Sequence, residues 1–129
     1  MKIDINNITM IYPSGKKALS DITVSLESPG FIGILGPNGA GKTTLMKLLI
    51  AGLIPTKGEI MLDGKPLLSQ ETQLKSQLGY LSQSFGLYDE LTVWQFLDYM
   101  AALKGVKSGK AVDDVISRTN LTEQRKTRI

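Results

Sequence analysis

The sequence predicts an α/β fold with antiparallel strands first, helices last and a strand–loop–helix unit between them. Three observations point there. Ile22, Val24 and Leu26 alternate with Thr23, Ser25 and Glu27, the period-two pattern of a strand with one wet face. Phe31-Ile32-Gly33-Ile34-Leu35 is apolar at both parities, as in a strand covered on both sides, and runs into a glycine-rich loop. Residues 92–104 carry a helix-start signature followed by an apolar stripe at helical spacing.

Taken in order, the Ile-rich residues 2–12 suit a strand broken near Asn6-Asn7, and Pro13-Ser14-Gly15 is a turn signal. Residues 22–27 return as the second strand of a hairpin or meander. Pro29-Gly30 punctuates the chain before the apolar strand 31–35. Lys42 to Ala51 places Leu45, Leu48 and Leu49 on one helical face, with Gly52 as a stop and Pro55 beyond it. Gly58 to Leu62 reads as another strand, closed by the turn signal Asp63-Gly64. Thr92 and Gln95 fit a capping box, and Leu91 and Phe96 fit a hydrophobic staple across it. Val93, Phe96, Leu97 and Met100 form the apolar face, and Gly105 can cap the end. A last helix presents Val112, Val115, Ile116 and Thr119 on one face, with Asn120 as its stop.

Composition narrows the chemistry. The 129 residues are 42% hydrophobic and 21% charged, the balance of a folded domain with one modest core. With 0 Cys and 0 His, disulfides, thiol nucleophiles, Cys/His zinc sites and histidine bases are excluded. A metal partner must be a hard cation held by oxygen, Mg²⁺ before others. A Cys-free chain also suits the reducing cytosol. No apolar run approaches the roughly 20 residues of a membrane span. Charge is balanced up to residue 104, with 9 Lys/Arg against 9 Asp/Glu, and the excess lies beyond it, 6 against 3. A nucleic-acid contact is one reading of that basic end. A solvated helix face with a loose tail is the other, and it is favoured because no aromatic residue interleaves the charges.

Gly36-Pro37-Asn38-Gly39-Ala40-Gly41-Lys42-Thr43 satisfies G-x-x-x-x-G-K-[ST], the phosphate-binding loop. Backbone N–H groups surround a polyphosphate only if the chain curls tightly, and glycines permit the curl. The loop feeds a helix start, whose unpaired N–H groups favour an anion. Lys42 is expected to reach the β and γ phosphates, the Thr43 hydroxyl to ligate Mg²⁺, and Thr44 to add a phosphate contact. The bland alternative is a glycine turn with Lys42 in solvent. A preceding strand and a following amphipathic helix speak against it.

GPNGAGKTTLMKLLIAGL, GEIMLDGKPL and LGYLSQSFGLYDELTVWQFLDYM, in that order, make the chain resemble the ATP-binding domain of ABC transporters, most closely multidrug or lipid-type exporters. The resemblance implies a P-loop NTPase of ABC type. An antiparallel β subdomain, the strand–loop–helix core and the start of a helical subdomain would then lie in residues 1–129, divided near 87/88. It implies ATP and Mg²⁺ as cofactors. It assigns Gln83, in Tyr80-Leu81-Ser82-Gln83, to the Q-loop glutamine that touches Mg²⁺ or the attacking water. A polar strand end is the alternative for Gln83. Tyr12 stands where the family has its adenine-stacking aromatic, with packing on a sheet as the alternative. Phe85, Leu87 and Tyr88 occupy the loop that meets a membrane-spanning subunit, or else they cover the helix beginning at Thr92. A second ATP-binding domain is the further partner, no nucleic acid is expected, and the location implied is cytoplasmic, peripheral on the inner face of the cell membrane.

The family's signature loop, its second acidic motif and its switch histidine do not occur up to Ile129. Asp63 resembles the acidic motif only superficially, because Gly64-Lys65 makes it a turn. The expectation is a chain truncated before the signature motif. It would bind nucleotide weakly without turnover, while the full-length protein is an ATPase in which Lys42 and Gln83 are catalytic. In the family the acidic strand pairs beside residues 31–35. Their apolar edge is therefore expected to lack a partner here, favouring self-association or a poorly ordered loop. The alternatives are an ATPase module of a soluble ABC protein acting on the ribosome or DNA, a P-loop kinase or GTPase (whose own motifs are missing), and an interaction module with a relic loop.

Overall fold

The computed structural model describes residues 1–83, 86, 88–106 and 109–129. They form two compact units, Met1–Tyr80 and Leu81–Ile129.

The first unit is built on a four-stranded antiparallel sheet: β1 (Lys2–Ile11), β2 (Lys17–Glu27), β3 (Lys57–Leu62) and the short β4 (Lys65–Pro66), in the order β2-β1-β3-β4. The break expected at Asn6-Asn7 is a bulge inside one continuous strand. Ile3 and Ile5 face the core before it, and Ile8 and Met10 after it. The extra residue keeps the apolar side chains inward across what would otherwise be a one-residue slip. Asn7 on β1 and Asp21 on β2 both adopt left-handed backbone, with φ of 49° and 51°. The Asn7 side-chain amide donates to Asp21 Oδ1 at 2.8 Å. The Asn7 and Asp21 N–H groups donate to the hydroxyls of Thr23 and Thr9. Of the β2 apolar set, Ile22 and Leu26 pack on the core, while Val24 stays exposed on this edge strand.

Asp63-Gly64 is the turn the sequence promises. Both residues have positive φ, 48° and 78°, and join Leu62 to its partner Lys65, as a two-residue hairpin requires. The Asp63 carboxylate accepts from the Lys2 N–H at 2.7 Å, so it serves the sheet. Helix α1 (Lys42–Leu49) lays Leu48 into the core formed by Ile5, Ile8, Met10, Leu19, Ile60, Leu62 and Leu67, with Leu45 and Leu49 alongside. Burying one such leucine stabilises by about 1.5–3 kcal/mol. The helix stops one residue earlier than Gly52 suggests. Ala51 takes the left-handed position, and the N–H groups of Ala51 and Gly52 close on the carbonyls of Leu48 and Lys47. A 3₁₀ turn (Leu67–Gln70) leads into α2 (Glu71–Gln77), a short helix the sequence pattern does not announce.

The strand expected at 31–35 is not formed. Phe31 and Leu35 are fully exposed, Ile32 is exposed, and only Ile34 is half-buried. A strand covered on both faces needs paired neighbours and a layer on each side, and among the described residues no strand pairs with it. The same reason applies to Leu78-Gly79-Tyr80-Leu81, which is also irregular.

The second unit holds α3 (Val93–Leu103) and α4 (Gly109–Arg118). The capping box is present: Gln95 N–H donates to the Thr92 hydroxyl, and the Gln95 side chain accepts from Thr92 N–H at 2.9 Å. Gly105 (φ 72°) and Asn120 (φ 58°) end α3 and α4 in the left-handed position. Val112 and Ile116 are buried, whereas Val115 is exposed. The tail is not loose. Its backbone caps α3, with Val93 N–H donating to Thr127 O at 3.0 Å and Trp94 N–H to Arg125 O at 3.1 Å. These satisfy helix-start donors that side chains leave open. Arg125 lies 5.7 Å from the Trp94 ring centroid and pairs with Asp113 at 2.9 Å. One of the cations that suggested nucleic acid is thus engaged within the unit. Among the described residues no helix is long and apolar enough to cross a membrane.

Candidate nucleotide-binding site

The loop Gly36–Gly41 leads into α1 as the motif requires. Gly39 and Gly41 have φ of 84° and 94°, conformations that side chains rarely take. Ala40 N–H donates to Pro37 O at 3.2 Å, closing the curl. Gly41 is the N-cap of α1 and contributes no side-chain cap. No acidic residue lies in the first turn, so the helix-start N–H groups meet no carboxylate of their own. A Cβ on Gly41 would lie 2.4 Å from Ala18 O and 2.7 Å from Leu19 Cδ2. The start of β2 is therefore the wall behind the loop, a contribution that sequence reasoning missed. Its only trace in the sequence is the demand for glycine at position 41.

Lys42 folds back over the loop, its Nζ donating to Gly36 O and Pro37 O at 2.7 Å each. An ammonium has three donors, and two are spent holding the loop, so one remains for an anion. Thr43 is exposed beside it, offering a hydroxyl, while Thr44 is turned inward with 6% of its surface exposed. The Tyr12 hydroxyl meets Thr44 Oγ1 at 3.0 Å, and the Tyr12 ring is half-buried against the core. Tyr12 and Thr44 come together, then, although the sequence reading gave them separate tasks.

Gln83 is exposed and belongs to the second unit. Phe85 and Leu87 lie outside the described residues. Tyr88 packs its ring 6.2 Å from that of Phe96 and, edge-on, 5.8 Å from that of Tyr99 on α3. Tyr88 is thus at least partly a cover for α3, and remains half-exposed.

A hard cation with a polyphosphate suits these donors. The cradle is glycine backbone, its fixed charge is one ammonium, and the exposed Thr43 beside it offers a hydroxyl. Where Mg²⁺ binds, it neutralises phosphate charge.

Comparison with known proteins agrees with this chemistry. Residues 19–129 match the family model described as ABC transporter. The chain is 31% identical over 102 residues to a choline transport ATP-binding protein, OpuBA, of Bacillus subtilis (strain 168), covering 78% of this chain and 27% of that one. It is 36% identical over 101 residues to YbhF, a probable multidrug ABC transporter ATP-binding protein of Escherichia coli (strain K12), covering 78% and 17%. A solved ABC transporter ATP-binding protein from Pyrococcus furiosus superposes with a TM-score of 0.78 at 31% identity, covering 98% of this chain and 60% of its own. The chain thus spans under a third of the length of these two curated relatives.

Proposed function

The chain belongs to the ABC transporter family of ATP-binding domains, and on that premise we propose that residues 36–44 bind ATP with Mg²⁺ to power transport in the whole protein. The observation that carries the reading is the loop itself: left-handed Gly39 and Gly41 lead into an uncapped helix, with the Lys42 ammonium folded across the curl. Gly36, Pro37, Asn38, Gly39, Ala40 and Gly41 line the phosphates, Lys42 reaches the outer two, Thr43 and Gln83 hold Mg²⁺, and Thr44 adds a phosphate contact. The Tyr12 ring stacks on adenine. Positioning and charge stabilisation are most of what phosphoryl transfer asks of a protein. Lys42 and Gln83 are the catalytic residues proposed for the whole protein, and the 129-residue chain alone would bind nucleotide weakly and not turn it over.

Residues 1 to about 87 would form the β and phosphate-loop core of one nucleotide-binding domain, and 88–129 the start of its helical subdomain. The stretch Phe85–Tyr88 would meet a membrane-spanning subunit, and a second ATP-binding domain would complete the motor on the cytoplasmic face of the membrane. Export is the direction we propose, supported by the likeness to YbhF. The exposed Phe31, Ile32 and Leu35 support self-association of the isolated chain.

Calorimetric titration with ATP and Mg²⁺ tests the binding. Wild type should bind, and Lys42→Ala should lose about tenfold to a hundredfold in affinity, the worth of a charge-assisted contact. Failure of the wild-type chain to bind any nucleotide at any Mg²⁺ concentration would defeat the proposal.

A further inference from the structure

The hydroxyl of Tyr12 has a task distinct from anything its ring does. We propose that it is a positioning group for the phosphates: it fixes Thr44, and through Thr44 the first turn of α1. This rests on the nucleotide-binding reading above.

The geometry is specific. Tyr12 Oη and Thr44 Oγ1 are 3.0 Å apart, although 32 positions separate them in sequence. Tyr12 is itself clamped, its N–H donating to Lys16 O at 2.9 Å and its carbonyl accepting from Gly15 N–H at 2.8 Å. The phenol thus projects from a closed turn at the end of β1. Among the described residues Thr44 is the one buried polar or charged residue. A buried hydroxyl requires a partner, and Tyr12 supplies it. Thr44 is the third residue of α1, where a freed hydroxyl would turn to the carbonyls three and four positions back, those of Gly41 and Ala40. Those carbonyls belong to the phosphate loop. By holding Oγ1, Tyr12 keeps Thr44 from pulling on the curl that the ligand must enter. The phenol ring has an apolar body for a base and a polar tip for this anchor.

The two roles separate experimentally. The 129-residue chain and its Tyr12→Phe, Thr44→Val and doubly substituted forms are titrated with Mg²⁺–ATP and with Mg²⁺–tripolyphosphate, which has no base. Melting temperatures are recorded in parallel. Wild type should bind both probes. Tyr12→Phe keeps the ring and should weaken both by the same factor, about threefold to tenfold, the range for one neutral hydrogen bond. The ratio of the two affinities, which reports the ring on the base, should stay fixed. The double variant should bind no more weakly than Thr44→Val, because the phenol acts through Thr44. Unchanged tripolyphosphate affinity in Tyr12→Phe overturns the inference, whether or not the melting temperature falls. So do additive losses in the double variant. Should Tyr12→Phe fail to fold, Thr44→Ser, which keeps the hydroxyl, against Thr44→Val applies the same comparison from the other end of the bond: equal tripolyphosphate affinity for Thr44→Val and for wild type overturns it. Wild type that binds neither probe defeats the nucleotide reading itself, a result distinct from wild type that binds both while Tyr12→Phe is unaltered.

Discussion

Gly41 lies against Ala18 so closely that a methyl group on the glycine would stand 2.4 Å from the Ala18 carbonyl oxygen. The contact sets the phosphate loop on the first residues of β2. Gly41→Ala faces both this backbone oxygen and a φ of 94°, for which left-handed backbone alone costs about 1–2 kcal/mol. We expect a lower melting temperature together with loss of measurable ATP binding. A variant that binds ATP like wild type would show that the loop does not need this wall.

Arg125 and Trp94 offer a second test. The guanidinium stands over the indole and pairs with Asp113. Arg125→Ala should destabilise the second unit by about 1 kcal/mol, combining a cation–π contact with an exposed ion pair. The chain has 1 Trp, so its fluorescence reports this place alone. Denaturation followed by Trp94 emission should shift to lower denaturant, and the native emission should change. An unaltered spectrum and midpoint would mean that the tail holds by its backbone bonds only.

Acid should weaken the sheet through Asp4. The Ser25 hydroxyl donates to its carboxylate at 2.6 Å, and the Lys2 ammonium stands 3.2 Å away. Both hold its pKa below the ordinary aspartate value of 3.8, the serine bond contributing most. A depressed carboxyl stabilises the fold above 3.8, and that contribution fades as pH falls through the lowered value. Melting temperatures of wild type and Asp4→Asn should therefore converge below that range. A gap that persists unchanged at the acid end would assign the difference to something other than titration.

The exposed apolar run leads to a prediction about association. Phe31 and Leu35 have no cover, and the five uncharged residues 31–35 form an exposed apolar segment. Light scattering of the chain should give a mass that rises with concentration, and Phe31→Lys should suppress the rise. A concentration-independent monomer for wild type would contradict it.

What could be read from residues alone divides along physical lines. The curl at Gly41 and the helix it opens were legible because a glycine turn at a helix start needs little tertiary context. Thr92 with Gln95, and Asp63 with Gly64, were legible for the same reason. Residues 31–35 were not, because an apolar run states what a strand would bury without supplying its neighbours. Helix α2 escaped notice because it is short and only Leu74 touches the core. The anchoring of the tail was hidden in backbone carbonyls, which every sequence has. The Tyr12–Thr44 bond was hidden because two plausible ligand contacts turned out to meet each other.

The hydrogen-bonded pair Asn7 and Asp21 has a consequence for assembly. Each interrupts its own strand, and the side-chain amide of one grips the carboxylate of the other. If β2 slid along β1 by two residues, its inward side chains would still point inward, so the pleat alone cannot forbid that error. The interlocked kinks can, since they fit in a single alignment. Ala18, three positions before Asp21, is thereby indexed along the ribbon, and the anion cradle resting on it takes its placement from a ruler cut into the same pair of strands.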